Sequence, residues 1–418
     1  MNKKERIIEL KARGLITHEG GGTLEEILSE KRRMYLGVDP TADSLHAGNL
    51  VPIILMKHLT DLGHEPMLLI GGATGLIGDP RESGERKLLD EKTANKNAQA
   101  LSKQLASLLK KDSIKVVNNA DWLKKVSMLD FLRDIGKHFS VNQLIKRDII
   151  KRRLETDEDS ISYTEFSYSL LQGYDFLHLN TKFGVDLQIG GSDQWANIIS
   201  GVDLIRRKGR IAFALTSPIV VDKSTGKKFG KSEGNAVWLD PMKTSPFAFY
   251  QFWINVSDDS LDEYLRIFSF MTLAQIDKLL AQHKAEPHKR LAQKALAKDV
   301  TTFVHGKDVT VSVEKVTGIL YGNQKAAKLS ATDKKLILAE APSAKLTKSE
   351  LSKGVSIVDI LLKLDLATSK GEARKLIEGK GVSVNGTTAS LDYTITTKDL
   401  KDTLALIRKG KKIGVITS

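Results

Sequence analysis

Strand, helix and strand alternate along the first half of this chain, and that rhythm restricts the fold more than any other feature. Met34-Tyr35-Leu36-Gly37-Val38 is a buried-strand run, and Leu50 to Leu62 carries apolar residues at helical spacing until Gly63 stops it. Met67-Leu68-Leu69-Ile70 is the next strand. The order recurs with Ile114 to Val117, Leu187 to Ile189 and Pro218 to Val221, separated by stretches long enough for crossover helices. The pattern predicts an α/β domain built on a parallel sheet covered on both faces. In such sheets ligands sit beyond the carboxyl ends of the strands, so the residues just after each strand matter most.

The strand signal stops near 247. The spacing predicts a catalytic-type domain over 1–246, an all-helical domain over 247–320 and a Lys-, Ala- and Ser-rich linker over 321–353. A small α+β module over 354–418 closes the chain, with two short helices, the strand Val382-Ser383-Val384 and the hairpin turn Asn385-Gly386. Zero Cys in 418 residues removes thiolate catalysis, zinc-thiolate sites and disulfides, and suits a reducing compartment; the expected location is the cytoplasm. No run of about 18 apolar residues is present, so no membrane span is expected. The net charge of +13 favours a polyanionic partner, and the stretch 351–418 holds twelve basic against seven acidic residues.

Four strand ends carry chemistry. After the first comes Asp39 to Asn49, opening onto a helix whose free N–H groups suit an anion; Thr41, His46 and Gly48 stand at its mouth, although a plain capped helix start would look the same. After the second comes the glycine-rich turn Gly71 to Pro80, which contains Asp79. Gln188 to Trp195 repeats the strand, glycine turn and helix order; Gly191 permits close approach, and Asp193 is either a ribose ligand or an N-cap. Asp222 to Ser232 is a cationic loop with Lys223, Lys227, Lys228 and Lys231, suited to transient charge on a pyrophosphate, although it lacks P-loop spacing. In the helix Tyr163 to His178, Tyr168, Gln172 and Asp175 fall at i, i+4 and i+7 on one face of a mostly apolar helix. Buried polar groups must find partners, whether in the protein or in a ligand.

Together these segments resemble one family, the bacterial tyrosyl-tRNA synthetases of class I. HAGN at 46–49 is similar to the HIGH signature and KFGKS at 228–232 to the KMSKS signature; YSLLQGYDF at 168–176 and IGGSDQW at 189–195 add specificity. SKGEARKLIEGKGVSVNG at 369–386 resembles the S-four-like RNA-binding domain of ribosomal proteins. The resemblance implies a Rossmann-like catalytic domain, a helical anticodon-side domain and an RNA-binding tail. It implies that Tyr35 and Asp175 bind the tyrosine hydroxyl, that Asp79, Tyr168 and Gln172 hold the α-ammonium, and that Gln194 faces the carboxylate. His46 and Thr41 would face the ATP phosphates, Gly48, Asn49, Gly191 and Asp193 the adenosine, and Lys228 and Lys231 the leaving pyrophosphate. The chain departs from the family pattern in Asn49, Phe229, Gly230 and a loop at 79–86 that is one residue short, with Arg86 as a phosphate contact.

The implied activity is tyrosine–tRNA ligation in two steps, with Mg²⁺ arriving on ATP and no protein metal cage. L-tyrosine, its tRNA and a second copy of the chain are the implied partners. Arg206, Arg207 and Lys208, the cluster Lys146 to Arg153, and Lys370, Arg374 and Lys375 are candidates for RNA phosphates, or simply solvated surface. The rivals are a tryptophanyl enzyme, an RNA-binding protein on a decayed synthetase body, and a small-molecule nucleotidylyltransferase.

Overall fold

A computed structural model describes residues 3–80, 89–109, 114–145, 148–155, 160–221, 223, 226, 229–232, 235–322, 324, 326, 328–410 and 412–418. The chain forms two compact units, one of residues 1–245 with 252–300 and one of 246–251 with 301–418. The helices expected at 247–320 are therefore divided between them. No described helix is long and apolar enough to cross a membrane.

The first unit is organised by a six-stranded sheet. Its strands are β1 (His18–Gly20), β2 (Arg33–Val38), β3 (Glu65–Ile70), β4 (Lys115–Asn118), β5 (Leu187–Gly191) and β6 (Phe213–Ser217), in the order β1-β6-β5-β2-β3-β4. All neighbours are parallel except β1, which pairs antiparallel with β6 at the edge. Met34, Tyr35, Leu36, Leu68, Leu69 and Ile70 are all buried. Successive strand residues point to opposite faces, so both faces are covered, as a continuous apolar run requires. The helix α1 (Leu50–Asp61) joins β2 to β3 and is buried nearly all round. The long helices α2 (Tyr163–Phe183) and α3 (Trp195–Arg207) cover the face that carries Tyr35, Met67 and Leu69. They approach closely because Gly173 faces Gly201; a Cβ on Gly201 would sit 3.5 Å from the Gly173 Cα. Ser162 caps α2, and Gly184 ends it with φ +64.

The last strand lies earlier than the sequence suggests. Phe213 to Ser217 forms β6, whereas Pro218 to Val221 leaves the sheet, with Ile219 and Val221 exposed. Pro218 has no N–H for a ladder and ends the strand. From β2 the chain moves outward to β3 and β4, then returns to the other side of β2 as β5 and β6. The order thus reverses between β2 and β5, which opens a crevice beyond their carboxyl ends.

In the second unit a five-stranded sheet is ordered 387–388, 382–384, 404–409, 412–417 and 343–345. Asn385 and Gly386 both have positive φ, as a two-residue hairpin turn needs. Ile357, Ile360, Leu361, Ala373, Ile377 and Ile407 belong to its core. The stretch 321–353 is more than a linker: Ala331–Glu340 and Lys348–Lys353 are helices, and Ser343–Lys345 supplies the parallel edge strand. Both helices begin with capping boxes, Ser330 with Asp333 and Thr347 with Glu350, which outweigh the sparse apolar content.

Candidate active site

At the floor of the crevice the carboxylate of Asp175, on α2, is almost fully buried. It accepts hydrogen bonds from Trp122 Nε1 at 2.7 Å and Asn119 Nδ2 at 2.8 Å. Burial pushes its pKa up to about 7, against the lowering effect of those two donors. Tyr35, on β2, is fully buried, with its ring 5.2 Å from that of Phe176. Its hydroxyl has no hydrogen-bond partner among the described residues. Burial first, then the charge of Asp175, pushes this phenol well above its ordinary value, so it remains a donor. Gln188 lies opposite Tyr35 in the β2–β5 register, and its buried Oε1 also lacks a partner among the described residues. The Asp175 carboxylate close enough to act on the Tyr35 phenol, with the Gln188 amide on the adjacent strand, makes a donor and acceptor set suited to a hydroxyl that both donates and accepts.

Nearer the mouth, Asp79 accepts from Gln194 Nε2 at 2.7 Å and Asn197 Nδ2 at 3.1 Å. Burial raises its carboxyl to about 6, and the charges of Asp39 and Asp193 add to the rise. Tyr168 donates to Asp39 Oδ2 at 2.9 Å, Thr74 donates to Asp39 Oδ1 at 2.8 Å, and Asn119 donates to Thr74 at 2.9 Å. One hydrogen-bonded chain therefore links Tyr168 to Asp175. The side chain of Gln172, half-buried on the same helix, makes no hydrogen bond among the described residues. The charge of Asp39 raises both Asp79 and Asp175, an arrangement that favours a bound cation.

The nucleotide-side candidates gather around two glycines. His46 caps the turn Ala47–Asn49, its Nδ1 accepting from Gly48 N at 3.1 Å. In the neutral ring this puts the proton on Nε2. Asn49 returns the cap, its Oδ1 accepting from His46 N at 3.0 Å, which leaves the amide NH₂ as its donor. Segment 45–47 pairs with 237–239 through Ala47 N to Val237 O and Leu239 N to Leu45 O, both 2.8 Å. Val237 N in turn donates to Gly230 O. A Cβ on Gly48 would lie 2.7 Å from Phe229 O, and one on Gly230, where φ is +82, 2.5 Å from Gly48 N. The HAGN and KFGKS segments therefore touch backbone to backbone, and only glycine permits it. Phe229 is buried among Phe252, Trp253, Tyr264 and Phe268, which anchors the loop. Lys228 and the side chain of Lys231 lie outside the described residues, as do Arg81 to Lys87. Thr41 is exposed, and Asp193 is exposed over Gly191, where a Cβ would meet its Oδ1 at 2.6 Å.

Among the RNA candidates, Arg206, Arg207 and Lys208 are exposed at the end of α3, with Arg206 paired to Asp203 at 2.9 Å. Lys370, Arg374 and Lys375 line the exposed side of helix Lys370–Glu378, with Lys370 paired to Asp359. Arg153 must be removed from the cluster Lys146 to Arg153: it is 2 % exposed and pairs with Glu165 at 2.9 Å. Lys146 and Arg147 lie outside the described residues. Sequence reasoning missed Asp39 as an acceptor, along with Thr74, Asn119, Trp122, Asn197 and Gln188. Asn197 lies three residues after Gln194 on the next helical turn, a spacing that could have flagged it.

Comparison with known proteins agrees with this geometry. Residues 28–322 match the family model described as tRNA synthetases class I (W and Y), and residues 334–415 match the Tyrosine--tRNA ligase SYY-like C-terminal domain. The chain is 45% identical to the tyrosine–tRNA ligase of Bacteroides fragilis, covering 97% of each, and 43% identical to that of Flavobacterium psychrophilum, covering 98% of each. The truncated mitochondrial tyrosyl-tRNA synthetase of Coccidioides posadasii superposes with a TM-score of 0.64 at 28% identity, over 74% of this chain and 91% of that one. A tryptophanyl-tRNA synthetase from Encephalitozoon cuniculi shares the fold, with a TM-score of 0.54 at 14% identity over 74% and 89%. With a buried Asp175 beside Tyr35, touching signature turns and a matched C-terminal domain, the chain belongs to the class I tRNA synthetases of the tryptophan and tyrosine family.

Proposed function

We propose that this protein is a tyrosine–tRNA ligase, activating L-tyrosine with ATP and transferring it to the 3′ end of its tRNA. The observation that carries the reading is the buried Tyr35 hydroxyl beside the fixed carboxylate of Asp175. A substrate phenol donates to Asp175 and accepts from Tyr35. Phenylalanine would leave both groups unpaired, at about 1–3 kcal/mol for each buried polar atom. An indole N–H could donate to Asp175 but offers no lone pair to Tyr35, which disfavours tryptophan.

Asp79, Tyr168 and Gln172 receive the α-ammonium, the first by charge and the others by hydrogen bonding, and Gln194 faces the carboxylate. That carboxylate attacks the α-phosphorus of ATP in line, and pyrophosphate leaves. His46 Nε2–H and Thr41 donate to phosphate oxygens, and Lys228 and Lys231 meet the charge that grows on the leaving group. Gly48 lets the adenosine lie against the backbone, with Asn49, Gly191 and Asp193 toward the ribose. No side chain becomes a covalent nucleophile; the rate comes from positioning and from charge stabilisation, where one well-placed donor contributes about 2.7–4 kcal/mol. ATP brings Mg²⁺ on its own phosphate oxygens. Among the described residues no group of three or more His, Cys, Asp or Glu could hold a metal ion.

The tail residues Lys370, Arg374 and Lys375, with Arg206, Arg207 and Lys208, contact tRNA phosphates. A homodimer is supported by exposed apolar side chains on neighbouring short helices, Met128, Leu129, Leu132 and Val141. ATP–pyrophosphate exchange with tyrosine, tryptophan and phenylalanine in turn tests the reading. Exchange with tyrosine alone is expected, and exchange that ignores the amino acid would refute it.

A further inference from the structure

Behind His46 stands a set of side chains to which the two-step reaction gives no role. Trp238 lies directly opposite His46 in a backbone bridge, their rings 6.3 Å apart and inclined at 76°. The Lys243 ammonium stands 4.7 Å from the centre of the Trp238 ring and pairs with Asp43, three residues before His46. That ion pair holds the Asp43 carboxyl below its ordinary value. The turn presenting Lys243 is itself ordered. Lys243 N and Thr244 N both donate to Asp240 O at 3.0 Å, and Thr244 Oγ1 accepts from Trp238 N at 2.9 Å.

We propose that Lys243 and Trp238 are positioning residues that hold the His46 imidazole in the orientation from which Nε2–H meets a phosphate oxygen. The inference rests on the reading of His46 as a phosphate ligand and goes beyond it. The Gly48 N–H fixes one edge of the ring, and rotation about the remaining side-chain bonds is opposed by the indole. The indole is held by the ammonium above it, and the ammonium is tied back to the turn that carries His46. Ion pair, cation–π contact and ring contact thus close a loop around a single side chain. Asp43 and Lys243 are both partly exposed, and an exposed ion pair adds little to global stability, so this arrangement acts mainly on geometry.

A double-mutant cycle in tyrosine-dependent ATP–pyrophosphate exchange on the full chain separates positioning from general damage. Lys243→Ala should lower kcat by roughly 10-fold, because small misplacements of a catalytic group are costly, with KM for tyrosine changed less than about twofold. Lys243→Arg, which keeps both the charge and the ring contact, should restore kcat to within about threefold of the unsubstituted chain. In a His46→Ala background the same Lys243→Ala change should cost less than about twofold, since the group it positions is gone. Equal losses in both backgrounds, or an unchanged kcat in Lys243→Ala alone, would overturn the latch while leaving the ligase reading intact. Absence of tyrosine-dependent exchange in the unsubstituted chain would overturn both.

Discussion

Asp175 is held between opposing effects: two donors favour its charged form, and burial opposes it more strongly. Its removal strands Trp122 Nε1 and the substrate hydroxyl, and leaves Asn119 Nδ2 with Thr74 as its remaining acceptor, at about 1–3 kcal/mol per unpaired buried donor. Asp175→Ala should therefore lower kcat/KM for tyrosine by at least about 10²-fold in pyrophosphate exchange, and a variant within threefold of the parent would contradict the phenol assignment. The raised carboxyls also predict a pH limb. Tyrosine binds the ionised forms of Asp79 and Asp175, whose values lie at about 6 and about 7, so kcat/KM should fall as pH drops through that window. Stability of the free protein runs the other way. Above the ordinary value of 3.8 the native chain keeps these protons longer than the unfolded chain, so their contribution is full below it and lost as pH rises through 6 to 7. Urea unfolding should show the advantage of the parent over Asp79→Asn shrinking from pH 5 to pH 7.5; a constant difference would contradict the shift. Asp175, Tyr168 and Gln172 were legible in the sequence because polar residues at helical spacing stand out on an apolar helix. Asn119 and Trp122 were not, because they reach Asp175 from more than fifty residues away and follow no local period.

The touching turns belong to the scale of elements. Gly230→Ala places a side chain at φ +82 and within 2.5 Å of Gly48 N, so backbone must move on one side or the other. The adenylation rate should fall by about tenfold or more, as expected when reacting groups are displaced by about 1 Å, while tyrosine affinity by equilibrium dialysis stays within about twofold. Equal losses in rate and affinity would place the damage elsewhere. The strand, glycine turn and helix rhythm revealed these turns individually, and their mutual approach is a tertiary fact that no spacing encodes. Elements were misread where a local rule was overridden. Val220 and Val221 suggested a strand that Pro218 prevents, while β6 lies one step earlier in the run Phe213 to Ser217. The capping boxes at Ser330 and Thr347 were legible, but the Lys- and Ser-rich composition around them masked two helices.

For the whole molecule the +13 charge matters most where it is concentrated and exposed. Replacing Lys370, Arg374 and Lys375 together with Ala should leave tyrosine-dependent pyrophosphate exchange unchanged and weaken tRNA binding. It should also flatten the dependence of log affinity on log salt by up to about 0.9 for each phosphate that is no longer neutralised. An unchanged slope would remove this helix from the RNA surface. Both the pocket and the tail are engaged only when the complete reaction runs. The most direct test is therefore charging of total bacterial tRNA by the full chain with labelled tyrosine, tryptophan and phenylalanine in parallel. The account predicts that tyrosine alone becomes acid-precipitable with tRNA; incorporation of tryptophan, or of no amino acid, would contradict it.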